Sequence, residues 1–398
     1  MSAVDFDIYA EEFRQDPYSV YARLRDEAPI QWSERHNFWT VASYADVMAA
    51  AKNYADFSSI IAPTGGIETA ERPQTLISSD PPDHTRVRAV VGRAFTPVTI
   101  AAMEPRIRQI AVDLIEEMCE KAGRGEEIDF VEDFSSPLPV LVIAEILGVP
   151  ASMRAKLRRW ESALPPSAGD PAKVARRAEV REEMRGYFKE LGEERKADPQ
   201  DDLISDLFRA AELEEMQLTA EDLAILCALL WNAGNETTTN LLNNGLVAAQ
   251  EYPEQYGKIK QDRGLIPAFI EEALRYDAPV AGLFRRAKRD FEFHGQQIGE
   301  GQAIWLLFGS ANRDADQFKN ANQFDLDRHP NRHLAFGFGI HACIGAPLAR
   351  LEGRVAMEEL LDRVPDVWVY PERGERKFTQ VIRGFNRLPA SLPVASVA

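Results

Sequence analysis

Apolar residues recur at helical spacing along much of the chain. Over 104–121 and 138–147 they return every three or four positions, which predicts two amphipathic helices. A shorter amphipathic helix is expected over 16–28. The charge-rich stretch 174–196 predicts a further helix that lies on the surface.

The longest helical pattern begins at Thr219. Thr219 and Asp222 have the spacing of a capping box, and the apolar run that follows lasts until Pro253. A helix over about 220–250 would be roughly 45 Å long. Because its centre is apolar on all sides, we expect it to run through the middle of the domain.

Extended segments are fewer and shorter. Strands are expected within 30–41 and 290–308, and strands with turns from Val364 onward. Prolines and glycines interrupt 58–83 and 164–171, which predicts two irregular connections, the first long enough to serve function. The pattern as a whole predicts a mainly helical protein with small β-sheets.

Composition and charge exclude several classes of protein. The net charge of −17 and the pI of about 5.0 argue against a nucleic-acid-binding protein, which needs a basic face. The most apolar stretch, 223–234, is short of the roughly 20 residues that span a bilayer, and the acidic N-terminus is unlike a signal peptide. Three cysteines cannot form a disulfide framework, so at least one thiol is free. We expect a cytoplasmic protein with no membrane partner.

The strongest chemical signal surrounds Cys343. The segment reads Phe336-Gly337-Phe338-Gly339-Ile340-His341-Ala342-Cys343-Ile344-Gly345, and a helical pattern with an early proline follows it. The glycines allow a tight loop whose backbone approaches a flat ligand, and a helix N-terminus just beyond Cys343 would stabilise a thiolate. A lone cysteine is usually a small buried hydrophobe, but the spacing of its neighbours here favours a ligand role.

This segment resembles the haem-binding loop of cytochromes P450, Phe-Gly-x-Gly-x-His-x-Cys-x-Gly, with every specified position filled. The resemblance extends from Asp16 to Pro389. It implies one P450 domain over 1–398, helix-rich with small sheets and with the long central helix over the haem. It also implies haem b as the cofactor, Cys343 as the axial ligand of iron, and a haem-binding role for Phe336, Gly337, His341 and Gly345.

A second motif, Ala233-Gly234-Asn235-Glu236-Thr237-Thr238, lies inside the predicted long helix. Glycine at a helix centre costs about 1 kcal/mol relative to alanine, so something should occupy the space beside Gly234. Alone, the hexapeptide could equally be two satisfied polar residues at a helix bend. It resembles the family's oxygen-activating segment, which implies haem contact at Ala233 and Gly234, proton delivery by Glu236, and a Thr237 hydrogen bond that steers protonation during oxygen activation.

Glu272 and Arg275 are three residues apart and can pair on one helical face. Such a pair is usually an exposed contact of little worth. The resemblance implies a buried version, the family's Glu-x-x-Arg pair, joined by an arginine ahead of the cysteine loop. Arg328 is the candidate for this third partner, and the role would be structural.

Two haem propionates need cationic partners. The positions that match the family are His84, Arg88, Arg285 and His341, with Arg285 preferred to its neighbour Arg286. His84 and Arg88 would lie one turn apart if a helix begins near His84. Any one of them alone could be an ordinary surface cation.

Positions in the family's variable segments predict the substrate pocket. They are Ile61, Leu229, Asn232, Ala281, Leu283, Val381 and Ile382, and most are apolar. They favour an apolar substrate held mainly by shape. Asn232 could bind a substrate oxygen or be satisfied by a neighbour.

The resemblance implies a monooxygenase that activates O2 and hydroxylates or epoxidises an apolar small molecule. The sequence carries no flavin or iron–sulfur domain, so electrons should come from a separate iron–sulfur ferredoxin and its reductase. That partner would dock near Cys343, where arginines such as Arg332 and Arg350 could form a basic patch. The alternatives are a peroxygenase driven by hydrogen peroxide, which would not need Glu236 and Thr237, and a non-catalytic haem sensor, which normally carries a signalling domain.

Overall fold

The computed structural model describes residues 4–61, 76–153, 156–157, 159–160, 171–212, 218–377, 379 and 381–392. The chain divides into two compact units. The first comprises Met1–Asp80, Ala248–Cys343 and Arg376–Gly384, and the second comprises Pro81–Val247, Ile344–Glu375 and Phe385–Ala398. The expectation of one domain over 1–398 remains a prediction.

Helices predominate in the described chain. They are α1 Glu11–Gln15, α2 Tyr18–Glu27, α3 Tyr44–Lys52, α4 Asp83–Ala94, α5 Pro97–Ala102, α6 Glu104–Gly123, α7 Pro137–Ile146, α8 Pro171–Ala197, α9 Leu203–Glu212, α10 Ala220–Glu251, α11 Pro253–Gln261, α12 Ile266–Tyr276, α13 Phe308–Ala311 and α14 Ala346–Arg363. Single 3₁₀ turns lie at Leu76–Ser78, Ala151–Met153, Arg263–Leu265, Gly339–His341 and Pro371–Arg373, and one π-turn at Val131–Ser135.

The strands are short. They are β1 Ile30–Ser33, β2 Phe38–Val41, β3 Phe57–Ser58, β4 Ile128–Asp129, β5 Leu283–Ala287, β6 Phe291–Phe293, β7 Gln296–Ile298, β8 Ala303–Leu306, β9 Trp368–Val369, β10 Glu375–Arg376, β11 Phe385–Arg387 and β12 Pro389–Ser391. A mainly helical chain with small sheets confirms the predicted fold class. Residues 62–75 and 161–170, which include most of the two predicted irregular connections, lie outside the described residues.

A five-stranded sheet of order β1-β2-β8-β5-β3 organises the first unit. Its pairings are antiparallel except for β2 with β8; the register sets Ile30 opposite Val41, Trp39 opposite Ile304, Leu283 opposite Leu306 and Phe57 opposite Ala287. Strands β2 and β8 are buried along their whole length. Side chains alternate between faces along a strand, so β8 sends Ile304 and Leu306 into one apolar core and Trp305 into another. The sheet is therefore covered on both faces, which explains the continuous apolar runs.

The second unit is built mainly from helices. Helix α6 packs against α14, and an ion-pair network joins their polar flanks: Arg354 Nη2 lies 2.5 Å from Glu104 Oε2, and Arg108 Nη2 lies 2.6 Å from Glu358 Oε2. A three-stranded sheet of order β4-β12-β9 completes this unit.

Helix α10 has 32 residues, and its start is fixed by a reciprocal cap. The Thr219 N–H donates to Asp222 Oδ2 at 2.9 Å, and the Asp222 N–H donates to Thr219 Oγ1 at 3.2 Å. The helix runs over Ala220–Glu251, which confirms the predicted bounds of about 220–250. Among the described residues, no helix combines the length and apolarity needed to cross a membrane.

Candidate active site

Cys343 ends a tight loop in the first unit. Its N–H donates to the Phe336 carbonyl at 2.8 Å, which closes the loop, and Gly337 and Gly339 have φ angles of +66° and +72°. That left-handed conformation favours glycine. At Gly339 a Cβ would also lie only 2.8 Å from the Ala51 carbonyl oxygen. Glycine is therefore required at this position for two independent reasons.

The three cysteines differ in accessibility. Cys227 is buried, and burial raises the pKa of its thiol to about 12, whereas Cys343 is exposed. Cys119 is exposed as well, but it lies in the ordinary helix α6 without a glycine loop. An accessible thiol in a loop of this shape has the chemistry of a haem axial ligand, so these residues fit haem–thiolate ligation.

A buried ion pair lies on α12 in the same unit. Arg275 donates through Nε to Glu272 Oε2 at 2.8 Å and through Nη2 to Glu272 Oε1 at 2.7 Å. Both side chains are almost completely buried, at 0% and 1% exposure. Arg275 also donates to the carbonyls of Asn312, Ala321 and Gln323, so it fixes the chain well beyond its own helix.

Arg328 is the third member of this cluster. Its Nε lies 3.2 Å from each carboxylate oxygen of Glu272, as the sequence had led us to expect of this residue. Two further contacts with α12 were not predicted from the sequence. Asn331 donates to Glu272 Oε2 at 3.0 Å, and His333 Nε2 lies 3.2 Å from Glu271 Oε2. The segment ahead of the cysteine loop is therefore tied to α12 at several points.

Arg285 on β5 is buried at 6% exposure, whereas its neighbour Arg286 is exposed. Burial lowers the pKa of the Arg285 guanidinium to about 10, and the attraction of Asp80 only partly opposes this. Arg285 Nη1 donates to the Phe284 carbonyl at 2.8 Å, which satisfies one of the five N–H donors of the guanidinium. A buried guanidinium with donors available suits an anionic partner such as a propionate. This environment agrees with the preference for Arg285 over the exposed Arg286.

The other predicted propionate partners are placed as follows. Helix α4 begins at Asp83, so His84, at 1% exposure, and the half-buried Arg88 lie one turn apart in the second unit. His341 is half-buried in the 3₁₀ turn Gly339–His341 of the first unit. Because α4 begins before His84, the two residues have the one-turn spacing that the sequence predicted.

The motif of α10 lies in the second unit. Thr237 Oγ1 donates to the Ala233 carbonyl at 2.8 Å, and both Glu236 and Thr237 are half-buried. A Cβ added at Gly234 would lie 3.2 Å from Ile143 Cγ1 of α7. Close packing by Ile143 is therefore one reason for glycine at position 234. From the sequence, we had expected haem contact to be the reason.

The predicted substrate positions fall into two groups. In the first unit Val381 is buried in an apolar core against which Ile61, Leu283 and Ile382 pack, and the Ala281 N–H donates to the Val381 carbonyl at 2.8 Å. In the second unit α10 carries the half-buried Leu229 and the exposed Asn232.

The chain is similar to known proteins along most of its length. The family model "Cytochrome P450" matches residues 12–364. The putative cytochrome P450 YjiB of Bacillus subtilis (strain 168) is 40% identical over 355 residues, covering 88% of this chain and 87% of the relative. The polyketide biosynthesis cytochrome P450 PksS of the same organism is 36% identical, covering 98% and 100%. A crystal structure of CYP109E1 from Bacillus megaterium in complex with testosterone has a TM-score of 0.86 and 36% identity, covering 97% and 100%.

Proposed function

The chain belongs to the cytochrome P450 family, and we propose that it hydroxylates or epoxidises an apolar small molecule in the cytoplasm with electrons from a separate ferredoxin. As a family member it is a monooxygenase that binds haem b and takes a small-molecule substrate, O2 and a redox partner. Haem ligated by a thiolate supplies the oxygen chemistry, because the electron-rich sulfur favours cleavage of the O–O bond.

Cys343 is the proposed axial ligand. The observation that carries this assignment is an exposed thiol at the end of a loop closed by the Cys343 N–H and shaped by Gly337 and Gly339. The test is the absorption spectrum of the reduced holoprotein under carbon monoxide. We expect a thiolate-type band that Cys343→His abolishes and Cys119→Ser leaves intact. A histidine-type band in the unaltered protein would overturn the assignment.

The other candidate polar residues have separate proposed roles. Arg285, His84, Arg88 and His341 hold the propionates, since each is a cation or a hydrogen-bond donor. Glu236 delivers protons and Thr237 orients their transfer, because general acid–base groups placed at the reacting centre accelerate such steps. The role of Glu272 with Arg275 and Arg328 is to hold the chain ahead of Cys343 in place.

The proposed substrate is apolar. Support comes from the apolar character of Ile61, Leu283, Val381 and Ile382, which gather around one core. A relative is known in complex with testosterone, and another is named for polyketide biosynthesis, which makes steroids and macrolides informative probes. Titration of the ferric protein with terpenoids, steroids, fatty acids, aromatic acids and macrolides should give a low- to high-spin shift with one class. A shift only with charged, polar compounds would contradict this substrate class.

A further inference from the structure

His333 lies in the first unit, on the chain that leads into the cysteine loop. Its side chain is almost completely buried, at 3% exposure, and both ring nitrogens have partners. Nε2 lies 3.2 Å from Glu271 Oε2 on α12, and Nδ1 accepts a hydrogen bond from the Ala335 N–H at 3.2 Å. The ring is therefore held between α12 and the backbone that continues to Cys343.

The two nitrogens of His333 have different tasks. Because Nδ1 accepts a hydrogen bond, the ring proton lies on Nε2, which faces the Glu271 carboxylate. A carboxylate that holds one nitrogen of a histidine fixes the orientation of the whole ring. Since Glu271 belongs to α12, the position of Nδ1 is set by a helix and not by the loop itself.

A tight turn follows His333 directly. The Gly337 N–H closes this turn by donating to the Leu334 carbonyl at 2.9 Å. At the start of the turn, the Leu334 N–H donates to Asn312 Oδ1 at 2.6 Å, and the Ala335 N–H donates to His333. Two successive amides are thus held by side chains, which fixes the direction of the turn.

The same turn presents the carbonyl that receives the Cys343 N–H. This carbonyl belongs to Phe336, and the hydrogen bond is 2.8 Å long. The Phe336 ring also lies beside the His333 ring, with 5.9 Å between the two centroids. Peptide groups are planar, so a rotation at the Ala335 amide turns the neighbouring Phe336 carbonyl as well. The hydrogen bond to the Cys343 N–H would then be weakened or lost.

We propose that His333 is a positioning residue for Cys343: it orients the Ala335 amide and, through it, the carbonyl that holds the cysteine in place for iron ligation. The inference rests on the proposed assignment of Cys343 as the axial ligand and adds a residue that orients it. His333 itself acts only through the backbone. Loss of partners that orient metal ligands typically costs about 10–100-fold in metal affinity.

The test compares His333→Asn with His333→Leu, two substitutions of nearly equal size. Both remove the ring and its contact with Glu271, but only asparagine keeps an acceptor, Oδ1, close to the position of Nδ1. Two quantities are measured on the holoprotein: the rate of haem transfer to excess apomyoglobin, and the share of the thiolate-type band in the carbon monoxide spectrum of the reduced protein.

His333→Leu should release haem at least tenfold faster and lose part of the thiolate-type band. His333→Asn should stay close to the unaltered protein in both measurements. His294→Asn is the control, because His294 is an exposed histidine of the same unit that pairs with Asp46 at 2.8 Å, away from the cysteine loop. It should change neither quantity. Spectra recorded well below the melting temperature of each variant separate the effect on the ligand from a general loss of stability.

Two results would overturn the proposal: a His333→Leu protein that keeps haem and the thiolate-type band, or equal damage from His333→Leu and His333→Asn. If His333→Leu does not fold, hydrogen exchange in the unaltered holoprotein decides, since an Ala335 amide that exchanges as fast as an exposed one cannot be held by His333. A histidine-type band in the unaltered protein would instead overturn the assignment of Cys343, and this inference with it.

Discussion

Arg328 Nε lies within 3.2 Å of both carboxylate oxygens of Glu272. The same carboxylate accepts two hydrogen bonds from Arg275, one from Asn331 and one from the Asp325 N–H. One buried anion thus joins α12 to the segment over 325–331, a dozen residues before Cys343. We propose that the cluster supports the cysteine loop structurally and takes no part in the chemistry.

Replacing Glu272 with glutamine should destabilise the protein strongly. Glu272→Gln keeps the size of the side chain but leaves Arg275 and Arg328 buried without their counter-charge, which typically costs about 3–5 kcal/mol. We expect the free energy of unfolding of the holoprotein, measured with denaturant, to fall by this amount. Haem should also be lost more readily.

The adjacent residue provides the control. Glu271 is 29% exposed and pairs with His333 at 3.2 Å, so Glu271→Gln should lower the free energy of unfolding by about 1 kcal/mol or less. Equal losses from the two substitutions would show that the buried charge cluster has no special importance.

Thr237 should couple electron use to product formation. In Thr237→Ala the hydroxyl that bonds the Ala233 carbonyl is lost, and the proposed orientation of proton transfer is lost with it. General acid–base contributions are typically about 10²–10⁴-fold, so we expect product per NADH consumed to fall by at least tenfold while NADH oxidation continues. The measurement compares NADH consumed, peroxide released and product formed.

A second threonine of α10 separates this role from a helix effect. Thr239 Oγ1 donates to the Asn235 carbonyl at 3.1 Å in the same manner, but Thr239 is buried at 3% exposure. Thr239→Ala should therefore leave coupling unchanged. Coupling that is retained in Thr237→Ala would show that the proposed role of Thr237 is wrong.

The cysteine loop and the long helix could be predicted because their signals are local. The glycines that adopt positive φ lie within the cysteine loop itself. The Thr219 cap and the apolar spacing of α10 likewise lie within a single continuous segment. The choice of Arg285 over Arg286 likewise agrees with the alternation of a buried strand, since neighbouring side chains face opposite sides of the sheet.

Contacts between distant segments could not be predicted in the same way. Asn331 and His333 find their glutamates 59 and 62 positions away, and no periodicity links them. Arg383 reaches Asp277 across 106 positions, and no local pattern indicates this contact either. At Gly234 the sequence indicated that something occupies the space beside the glycine, but only the structure reveals that Ile143 packs there.

Glu352 should make stability depend on pH. It is buried on α14, burial raises its pKa well above the ordinary value, and its Oε2 has no hydrogen-bond partner among the described residues. Between the ordinary and the raised pKa the folded protein holds a proton that the unfolded chain releases. Stability therefore falls as the pH rises through this window, by up to about 1.4 kcal/mol per pH unit.

Glu352→Gln should remove this dependence. The variant should be as stable as the unaltered protein below the ordinary pKa of a glutamate and more stable at higher pH, as measured by denaturant unfolding at several pH values. Glu359→Gln on the same helix is the contrast, because Glu359 pairs with Arg108 and Arg363 and its loss should destabilise. Parallel pH profiles for Glu352→Gln and the unaltered protein would contradict the prediction.

Electron delivery by a ferredoxin should depend on ionic strength. Arg332 and Arg350 are exposed, and attraction between such cations and an acidic partner is screened over about 10 Å at 0.1 M salt and about 3 Å at 1 M. NADH-driven turnover should therefore fall several-fold across this range, whereas turnover driven by added peroxide, which needs no partner, should change little.

Arg350→Gln should reduce the salt dependence of the NADH-driven reaction. Arg124→Gln, which removes an exposed arginine paired with Glu126, should not. If both routes respond equally to salt, the effect lies in the enzyme itself and docking by charge attraction is wrong.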